Sequence, residues 1–212
     1  MYNPPHFRED DPEILYGLIR EARLATLVTL GAGGLFATHL PLLLQGGADG
    51  GPARLVGHLA RANPQWRDFD PAVPALAIFQ GPDGYVTPAW YGAKAETGKV
   101  VPTWNYVAVH AYGRLEAVTD AEGLHAIVGT LTDRHEAARP DPWAVTDAPE
   151  DYVRAQLKGI VGVVLHIDRL EGKRKLSQNR PEADRAAVAA GLAASADPRD
   201  RALAALMRPG KD

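Results

Sequence analysis

The sequence contains no cysteine among its 212 residues. This absence excludes disulfide bonds, a thiolate nucleophile, iron–sulfur clusters and cysteine-bound zinc. A chain of this length can bury a hydrophobic core without cross-links, so its stability requires neither a disulfide nor a metal. A sequence without cysteine is also compatible with a reducing compartment, and we predict a cytoplasmic location.

Long apolar runs and an excess of positive charge are missing as well. No apolar stretch reaches the length that crosses a bilayer, and residues 1–6 lack the basic and then apolar pattern of a signal peptide. We therefore expect a soluble protein without a membrane partner. The chain has 23 Lys and Arg against 26 Asp and Glu, a net charge of −3, so DNA binding would require a local basic patch.

Glycine and proline are abundant, with 21 and 17 residues, which favours short strands and turns over a helical bundle. Two strand-like runs, residues 24–30 and 35–44, flank the glycine-rich segment 31–34 and predict an antiparallel hairpin. Further strands are predicted at residues 53–58, 75–80, 101–118 and 160–167, with turns at 46–52 and 81–84 and an exposed loop at 92–98.

Four helical regions accompany these strands. Asp10 or Asp11 with Pro12 begins a helix that extends to residue 23, and a capping box from Thr119 begins another that extends to residue 136. The remaining helices are predicted at residues 150–158 and, in the Ala-rich tail, after Pro181 and after Asp197-Pro198. No strand–helix–strand alternation repeats, so we predict a mainly β (α+β) fold: a six- to seven-stranded antiparallel barrel with peripheral helices.

The segment from Val101 to Gly113 is predicted to be the central functional strand. At the two-residue period of a strand, its two faces are Trp104, Tyr106, His110 and Tyr112 on one side and Val107, Val109 and Ala111 on the other. The small apolar face is typical of core. The aromatic face is larger than packing alone requires, so either a partner chain or a ligand covers it, or the strand is buried on both sides.

Residues 58–66 contain a second candidate site. Asn63 followed by Pro64 indicates a helix start directly after a strand, where backbone N–H groups are free to bind an anion. Arg61 lies beside this junction and would add a bidentate phosphate contact. The alternative is an ordinary turn with a solvated arginine.

Residues 169–180 form the only dense basic cluster, which is either a solvated turn or a surface for DNA. The pair His135-Glu136 lacks a second histidine at helical spacing, so no metal site is predicted there.

Four segments together resemble the PaiB family, which is described as FMN-binding negative transcriptional regulators. They are residues 58–66 (HLARANPQW), 85–91 (YVTPAWY), 101–106 (VPTWNY) followed by His110, and 175–180 (KLSQNR). The resemblance extends from Met1 to about Asp184. It implies a split β-barrel like that of pyridoxamine 5′-phosphate oxidase, a homodimer, and FMN held non-covalently at the dimer interface.

The same resemblance implies a set of cofactor-binding residues. Around the phosphate they are Thr38, His39, His58, Ala60, Arg61 and Asn63; along the flavin ring they are Thr103, Trp104 and Asn105; closing the pocket, from either subunit, they are Lys175, Ser177, Gln178 and Asn179. The oxidase has an Arg-rich phosphate strand at the place where this chain has Ala37-Thr38-His39-Leu40. We expect residues 1–180 to form the barrel domain and residues 181–212 a C-terminal helical extension.

Three alternatives to an FMN-binding regulator stay open. A bound flavin can take hydride from NAD(P)H, which would make the protein an FMN-dependent oxidoreductase. Direct DNA binding would use residues 169–180. A haem-binding split barrel would use His39, His58, His110 or His166 as the axial ligand.

Overall fold

The computed structural model describes residues 1–47 and 51–207, and within them the chain forms eight strands and six α-helices. The strands are β1 (Arg8–Glu9), β2 (Ala25–Gly31), β3 (Gly34–Leu40), β4 (Leu43–Gln45), β5 (Arg54–Ala60), β6 (Ala75–Val86), β7 (Thr103–Val118) and β8 (Ile160–Lys175). The helices are α1 (Pro12–Glu21), α2 (Ala93–Thr97), α3 (Ala121–Glu136), α4 (Glu150–Leu157), α5 (Glu182–Ala193) and α6 (Pro198–Met207).

The strands form one sheet in the order β3-β2-β6-β7-β8-β5-β4, and β1 pairs with β8. The predicted first hairpin is confirmed: β2 and β3 are antiparallel, with Ala25 opposite Leu40 and Gly31 opposite Gly34. Its second strand ends at Leu40 rather than at residue 44, and Leu43–Gln45 instead form β4, which pairs with β5. The fold class is therefore α+β with an antiparallel sheet, as predicted. Among the described residues, no helix has the length and hydropathy that a membrane span requires.

The chain divides into two compact units. The first contains Met1–Leu15, Gln80–Val109 and the chain from Glu171 onward, and the second contains Tyr16–Phe79 and His110–Leu170. Strands β6, β7 and β8 each contribute residues to both units. Helices α5 and α6 belong to the first unit together with the N-terminal residues, and the division into two domains at residue 180 stays a prediction.

The core of the first unit is built around α5 and α6, which confirm the two helices predicted for the tail. Leu192 and Leu203 are fully buried. A Cβ added at Gly84 would lie only 3.0 Å from each of these leucines, so the glycine allows both helices to approach β6 closely. A Cβ at Gly191 would lie 2.3 Å from the Trp90 ring, which is a second close approach that only glycine permits.

The core of the second unit lies between β5, β8 and α3. Leu55 and Leu165 are opposite each other in the β5–β8 register and are both buried. A Cβ at Gly162 would lie 2.6 Å from Ile127, so this glycine allows α3 to pack directly on the sheet. Helix α3 is capped by Asp120, whose carboxylate accepts a hydrogen bond from the backbone of Gly123, rather than by the predicted capping box at Thr119.

Strands β6 and β8 are longer than the sequence predicts. The predicted turn at residues 81–84 is wrong, because β6 continues to Val86. Its register with β2 ends at Ile78, so Pro82 removes no hydrogen bond from that ladder. Similarly, residues 169–175 do not form a solvated turn but extend β8 to Lys175, where β1 pairs with them.

The segment predicted as a loop at residues 92–98 contains the short helix α2. The helix is terminated by Gly98, the residue after its last turn, whose φ of 66° is the left-handed conformation that commonly ends a helix. The segment is largely exposed, as predicted. The predicted turn at residues 46–52 lies partly outside the described residues.

The two faces of β7 are as predicted. Val107, Val109 and Ala111 are buried, whereas Trp104 is 55% exposed and Tyr106 is partly exposed. His110 and Tyr112 lie on the same partly exposed face. The strand is therefore not buried equally on both sides, and its aromatic face is exposed at the Trp104 end.

Candidate functional site

The residues proposed to bind the cofactor fall into two groups, one in each compact unit. The Trp104 cluster, in the first unit, consists of Thr103, Trp104, Asn105, Lys175, Ser177, Gln178 and Asn179. The Arg61 cluster, in the second unit, consists of Thr38, His39, His58, Ala60, Arg61 and Asn63.

An exposed aromatic surface marks the start of β7. The Trp104 ring meets the Tyr85 ring edge to face, with 5.9 Å between their centroids, and both side chains are exposed. Val101, just before the strand, is also exposed. Exposed aromatic rings of this kind provide a face on which a flat heterocycle can stack.

The ammonium group of Lys175 binds to the first two residues of β7. Its Nζ donates hydrogen bonds to Oγ1 of Thr103 at 2.5 Å and to the backbone carbonyl of Trp104. Partial burial lowers the pKa of Lys175, and the positive charges of Lys173 and Arg180 lower it further. An anion bound here would counter that repulsion and would raise the pKa of Lys175 again.

Asn105 and Ser177 form a buried polar pair. Nδ2 of Asn105, a residue that is 1% exposed, donates a hydrogen bond to Oγ of Ser177 at 2.8 Å. Oδ1 of Asn105 is buried and has no partner among the described residues. Sδ of Met207, in the last turn of α6, lies 3.9 Å from Nδ2, so α6 covers this pair.

Ser177 adopts a backbone conformation that is uncommon for its residue type. Its φ of 63° is the only positive value for a non-glycine residue in the described part of the chain. Such strained residues concentrate at functional sites. The turn is braced by Gln178, whose Oε1 accepts from the backbone of Leu176 at 2.7 Å and whose Nε2 donates to the carbonyl of Arg174 at 2.5 Å. Asn179 is exposed beside it.

The basic residues around Lys175 have partners within the first unit. Lys173 is 5% exposed and donates to the carbonyl of Tyr2 at 3.0 Å. Arg174 pairs with Glu9 at 3.1 Å. The guanidinium of Arg180 stacks on the Tyr91 ring at 4.7 Å. The cations that suggested a DNA surface are thus engaged in contacts inside the protein.

In the Arg61 cluster, the structure brings Thr38 and Asn63 together. Nδ2 of Asn63 donates to Oγ1 of Thr38 at 2.9 Å, and Oδ1 of Asn63 caps the short 3₁₀ turn Pro64–Trp66 by accepting from the backbone of Gln65. The predicted cap at Asn63 is therefore confirmed. His39 is exposed and its Nδ1 lies 2.9 Å from Oγ1 of Thr26.

Gln65 is a site residue that the sequence reasoning missed. It is buried, and its Nε2 donates to the carbonyl of Leu27, to Oγ1 of Thr29 and to the carbonyl of Phe36 at 3.0, 3.1 and 3.3 Å. These bonds attach the turn to β2 and β3 and so position Asn63. A glutamine directly after Asn-Pro was the available signal, although its partners lie 29 or more residues away.

His58 and Ala60 lie near the end of β5. His58 is opposite Gly162 in β8, and its Nδ1 is buried with no partner among the described residues. Burial lowers the pKa of His58, which favours the neutral imidazole. Ala60 is exposed at the last position of the strand.

Arg61 faces a different part of the second unit from Thr38 and Asn63. Its Nε donates to the carbonyl of Lys158 at 2.7 Å, and its backbone N–H donates to the carbonyl of Gly159 at 2.8 Å. The Arg61 side chain lines a pocket of about 180 Å³ together with Arg154. The proposed phosphate-binding residues thus form two subsets, with Thr38 and Asn63 paired to each other and Arg61 held by the C-terminal end of α4.

The remaining candidate haem ligands are His110 and His166. Nε2 of His166 lies 2.9 Å from a carboxylate oxygen of Glu116, a hydrogen bond that lowers the pKa of Glu116. Nδ1 of His110 lies 3.4 Å from the hydroxyl of Tyr112. Across the described part of the chain, no three metal-ligating side chains come together.

Comparisons with known proteins identify the family of the chain. The model of a family described as putative FMN-binding domain matches residues 1–169. The chain is 33% identical over 207 residues to the protease synthase and sporulation protein PAI 2 of Bacillus subtilis, covering 98% of this chain and 96% of that protein. It is 36% identical to the uncharacterized protein AFUA_5G13800 of Aspergillus fumigatus, covering 74% and 76%.

Two solved structures share the fold. One is the FAD and heme binding protein from Mycobacterium smegmatis, with a TM-score of 0.58, 20% identity and coverage of 85% of this chain and 79% of that chain. The other is the flavocytochrome Anf3 from Azotobacter vinelandii, with a TM-score of 0.58, 16% identity and coverage of 85% and 75%. At these identities the likeness concerns the fold alone.

Proposed function

Since the chain belongs to the PaiB family of putative FMN-binding domains, we propose that it binds FMN non-covalently at a homodimer interface and serves as a negative regulator of transcription. The observation that carries this proposal is the exposed Trp104 ring, on the segment of β7 whose Trp104 carbonyl accepts a hydrogen bond from the Lys175 ammonium group. An exposed aromatic ring and a cation on the same short segment suit a flat heterocycle that carries negative charge. When bound, FMN supplies reversible hydride or electron transfer.

Part of the Trp104 cluster fits a flavin. Trp104 provides the stacking surface and Lys175 the positive charge. The buried Oδ1 of Asn105 is an acceptor without a partner among the described residues, but Asn105 lies on the face of β7 opposite Trp104, where α6 covers it. A flavin stacked on Trp104 therefore does not reach this oxygen.

A second copy of the chain is the proposed cover for the rest of this surface. Val101, Tyr85 and Trp104 are all exposed large apolar side chains of the first unit. Two of them, Tyr85 and Trp104, are in ring contact, and exposed apolar surface of this kind commonly marks an interface. In a homodimer, the two copies would then enclose the flavin between them.

The regulatory part of the proposal does not depend on residues 169–180 binding DNA. Arg169 lies over the Tyr112 ring at 3.8 Å, and Lys173 and Arg174 are held by partners within the first unit. Mobility shifts over a salt series test direct DNA binding, because phosphate contacts give a steep dependence on salt concentration.

The proposal is tested by titrating the purified full-length protein with FMN and then dialysing it. We expect the visible flavin spectrum to remain with the protein, and light scattering to give the mass of a dimer. Colourless protein after dialysis, together with a monomer mass in the presence of FMN, would refute the proposal. The variant Trp104→Ala tests the contribution of this ring, and Trp143→Ala, at another exposed tryptophan, is its matched control.

The same sample tests the two cofactor alternatives. A haem protein shows the spectrum of haem as purified rather than that of flavin. An FMN-dependent oxidoreductase shows bleaching of the bound flavin when NAD(P)H is added without oxygen.

A further inference from the structure

A basic pocket lies next to Arg61 in the second unit. Its volume is about 180 Å³, and three of its lining residues, Arg61, Arg154 and Lys158, are cationic. None of the lining residues is acidic. Leu124 and Leu157 provide apolar wall. The pocket is therefore complementary in charge to an anion, and its low-polarity wall strengthens that attraction.

The geometry of Arg61 is fixed before any ligand binds. Nε donates to the carbonyl of Lys158, and the carbonyl of Arg61 accepts from Nε1 of Trp66 at 3.0 Å. The C-terminal end of α4 thus holds the guanidinium group from its Nε side. A cation that is already held in place loses less conformational entropy when it binds an anion.

Arg154 and Lys158 are four residues apart on α4 and at its C-terminal cap, and both are exposed. Arg154 makes an ion pair with Glu150 at 2.6 Å on the surface of α4. Such exposed pairs contribute little and exchange readily for a stronger partner. A phosphate, with its two negative charges and several acceptor oxygens, is a stronger partner for Arg154 than one exposed carboxylate.

A larger cavity of about 510 Å³ adjoins this pocket. The two share Ala121, Arg154 and Leu157 in their linings. Val145 and Val153 add apolar surface to the larger cavity, whose lining also contains Glu122, His125 and Glu150. Together the two spaces, which we call the Arg61–Arg154 cleft, have a cationic end without carboxylates and a larger body, apolar over most of its surface, of the size that holds a small organic molecule.

We propose that the Arg61–Arg154 cleft binds an organic phosphate, with the phosphate held by Arg61, Arg154 and Lys158 and an aromatic or apolar body in the larger cavity. Two kinds of ligand have this combination of a phosphate and an apolar body. The ligand is either FMN itself, in which case the inference rests on the proposed function and adds Arg154 and Lys158 to its phosphate site, or a separate phosphorylated metabolite.

The test uses phenyl phosphate, with phenol as the probe that lacks the phosphate, in calorimetric titrations of the full chain. We expect Arg154→Gln and Lys158→Gln each to weaken phenyl phosphate binding about tenfold, as for loss of one charge-assisted hydrogen bond. Arg139→Gln is the matched control, because it removes the same charge from an exposed arginine that pairs with Glu136. Thermal unfolding of each variant verifies that it is folded.

Four outcomes decide the proposal. If the unmodified protein does not bind phenyl phosphate, or if Arg154→Gln and Lys158→Gln bind it as tightly as Arg139→Gln does, the cleft is not a phosphate site. If phenyl phosphate competes with FMN, the cleft holds the flavin phosphate. If both bind at once, the cleft takes a second ligand. Charge-dependent phenyl phosphate binding by a protein that does not bind FMN would support the cleft and refute the proposed function.

Discussion

The side-chain amide of Asn105 donates a hydrogen bond to the hydroxyl of Ser177, and both residues are almost completely buried although they lie 72 residues apart in the chain. The bond joins β7 to the turn after β8 within the first unit. Ser177 holds a positive φ while making it. The hydrogen bond therefore joins a residue with a strained backbone, Ser177, to a residue with a buried, unpartnered acceptor, Asn105. Asn105 directly follows Trp104, where the proposed flavin surface begins.

The first prediction concerns this pair. Ser177→Ala should destabilise the protein by about 1–3 kcal/mol, because it leaves a buried amide donor unpaired, while the backbone strain at positive φ stays as in the unmodified protein. Ser177→Gly also loses the hydroxyl but removes the strain, so it should cost about 1 kcal/mol less. Urea unfolding of both variants measures the difference. Equal stabilities would show that the φ of Ser177 carries no strain.

The second prediction concerns stacking on the aromatic surface. Trp104→Ala should weaken FMN binding by about 1 kcal/mol, roughly fivefold, because it removes an aromatic contact. Trp143→Ala, which removes an equally large exposed ring outside both clusters, should leave the affinity unchanged. Fluorescence titration with FMN measures both. An unchanged affinity in Trp104→Ala would remove this residue from the flavin site.

The third prediction concerns the pH dependence of flavin binding. The pKa of Lys175 lies below the ordinary lysine value of 10.5, chiefly because of burial. As the pH rises through this lowered pKa, Lys175 loses its charge and its attraction for an anion, so FMN affinity should fall in the alkaline range below 10.5. Lys175→Arg stays charged there and should show a smaller fall. Ionisation of the flavin itself affects both proteins equally, so parallel pH profiles would contradict the prediction.

The fourth prediction concerns acid stability. Burial lowers the pKa of His58 in the folded protein, so below its unfolded value of about 6.5 the unfolded chain binds more protons and stability falls with decreasing pH. His58→Gln should flatten this dependence between pH 6.5 and the lowered folded-state pKa. His39→Gln, at an exposed histidine, is the control. Urea midpoints over that pH range decide whether His58 is responsible.

The fifth prediction concerns the docking of α6. Leu203 is fully buried, so Leu203→Ala should cost about 2–5 kcal/mol through lost burial and the cavity that remains. Leu35→Ala, at a leucine that is 78% exposed, should cost less than about 0.5 kcal/mol. Hydrogen exchange provides a second measurement. Leu203→Ala should also raise the exchange rate of backbone amides near Asn105, because α6 covers that residue.

Local signals predicted much of the fold. Asp11 before Pro12 and Asn63 before Pro64 each cap the element that follows, because a cap depends on residues only two or three positions away. The alternation of Trp104 and Val107 across β7 follows from strand geometry in the same way. The length of β6 was not predicted, because glycine and proline signal a turn unless neighbouring strands accommodate them.

The candidate site was predicted less completely than the fold. The resemblance implied Arg61 as a phosphate ligand, but its neighbours Arg154 and Lys158 are about a hundred residues away in the chain and carry no shared motif with it. Gln65 was missed for the same reason, since its role depends on carbonyl groups of β2 and β3. The covering of Asn105 by Met207 could not be foreseen from either segment alone.

The sequence by itself determined where most strands and helices lie, the alternation of side chains on the two faces of β7 and membership of the PaiB family, because these depend on local periodicity, capping and contiguous motifs. Only the tertiary structure decided which charged and polar groups share a pocket. Arg61 meets the end of α4, and Asn105 meets Ser177, through the packing of helices and the register of strands. Those contacts arise from the burial of side chains far apart in the chain, which no local pattern specifies.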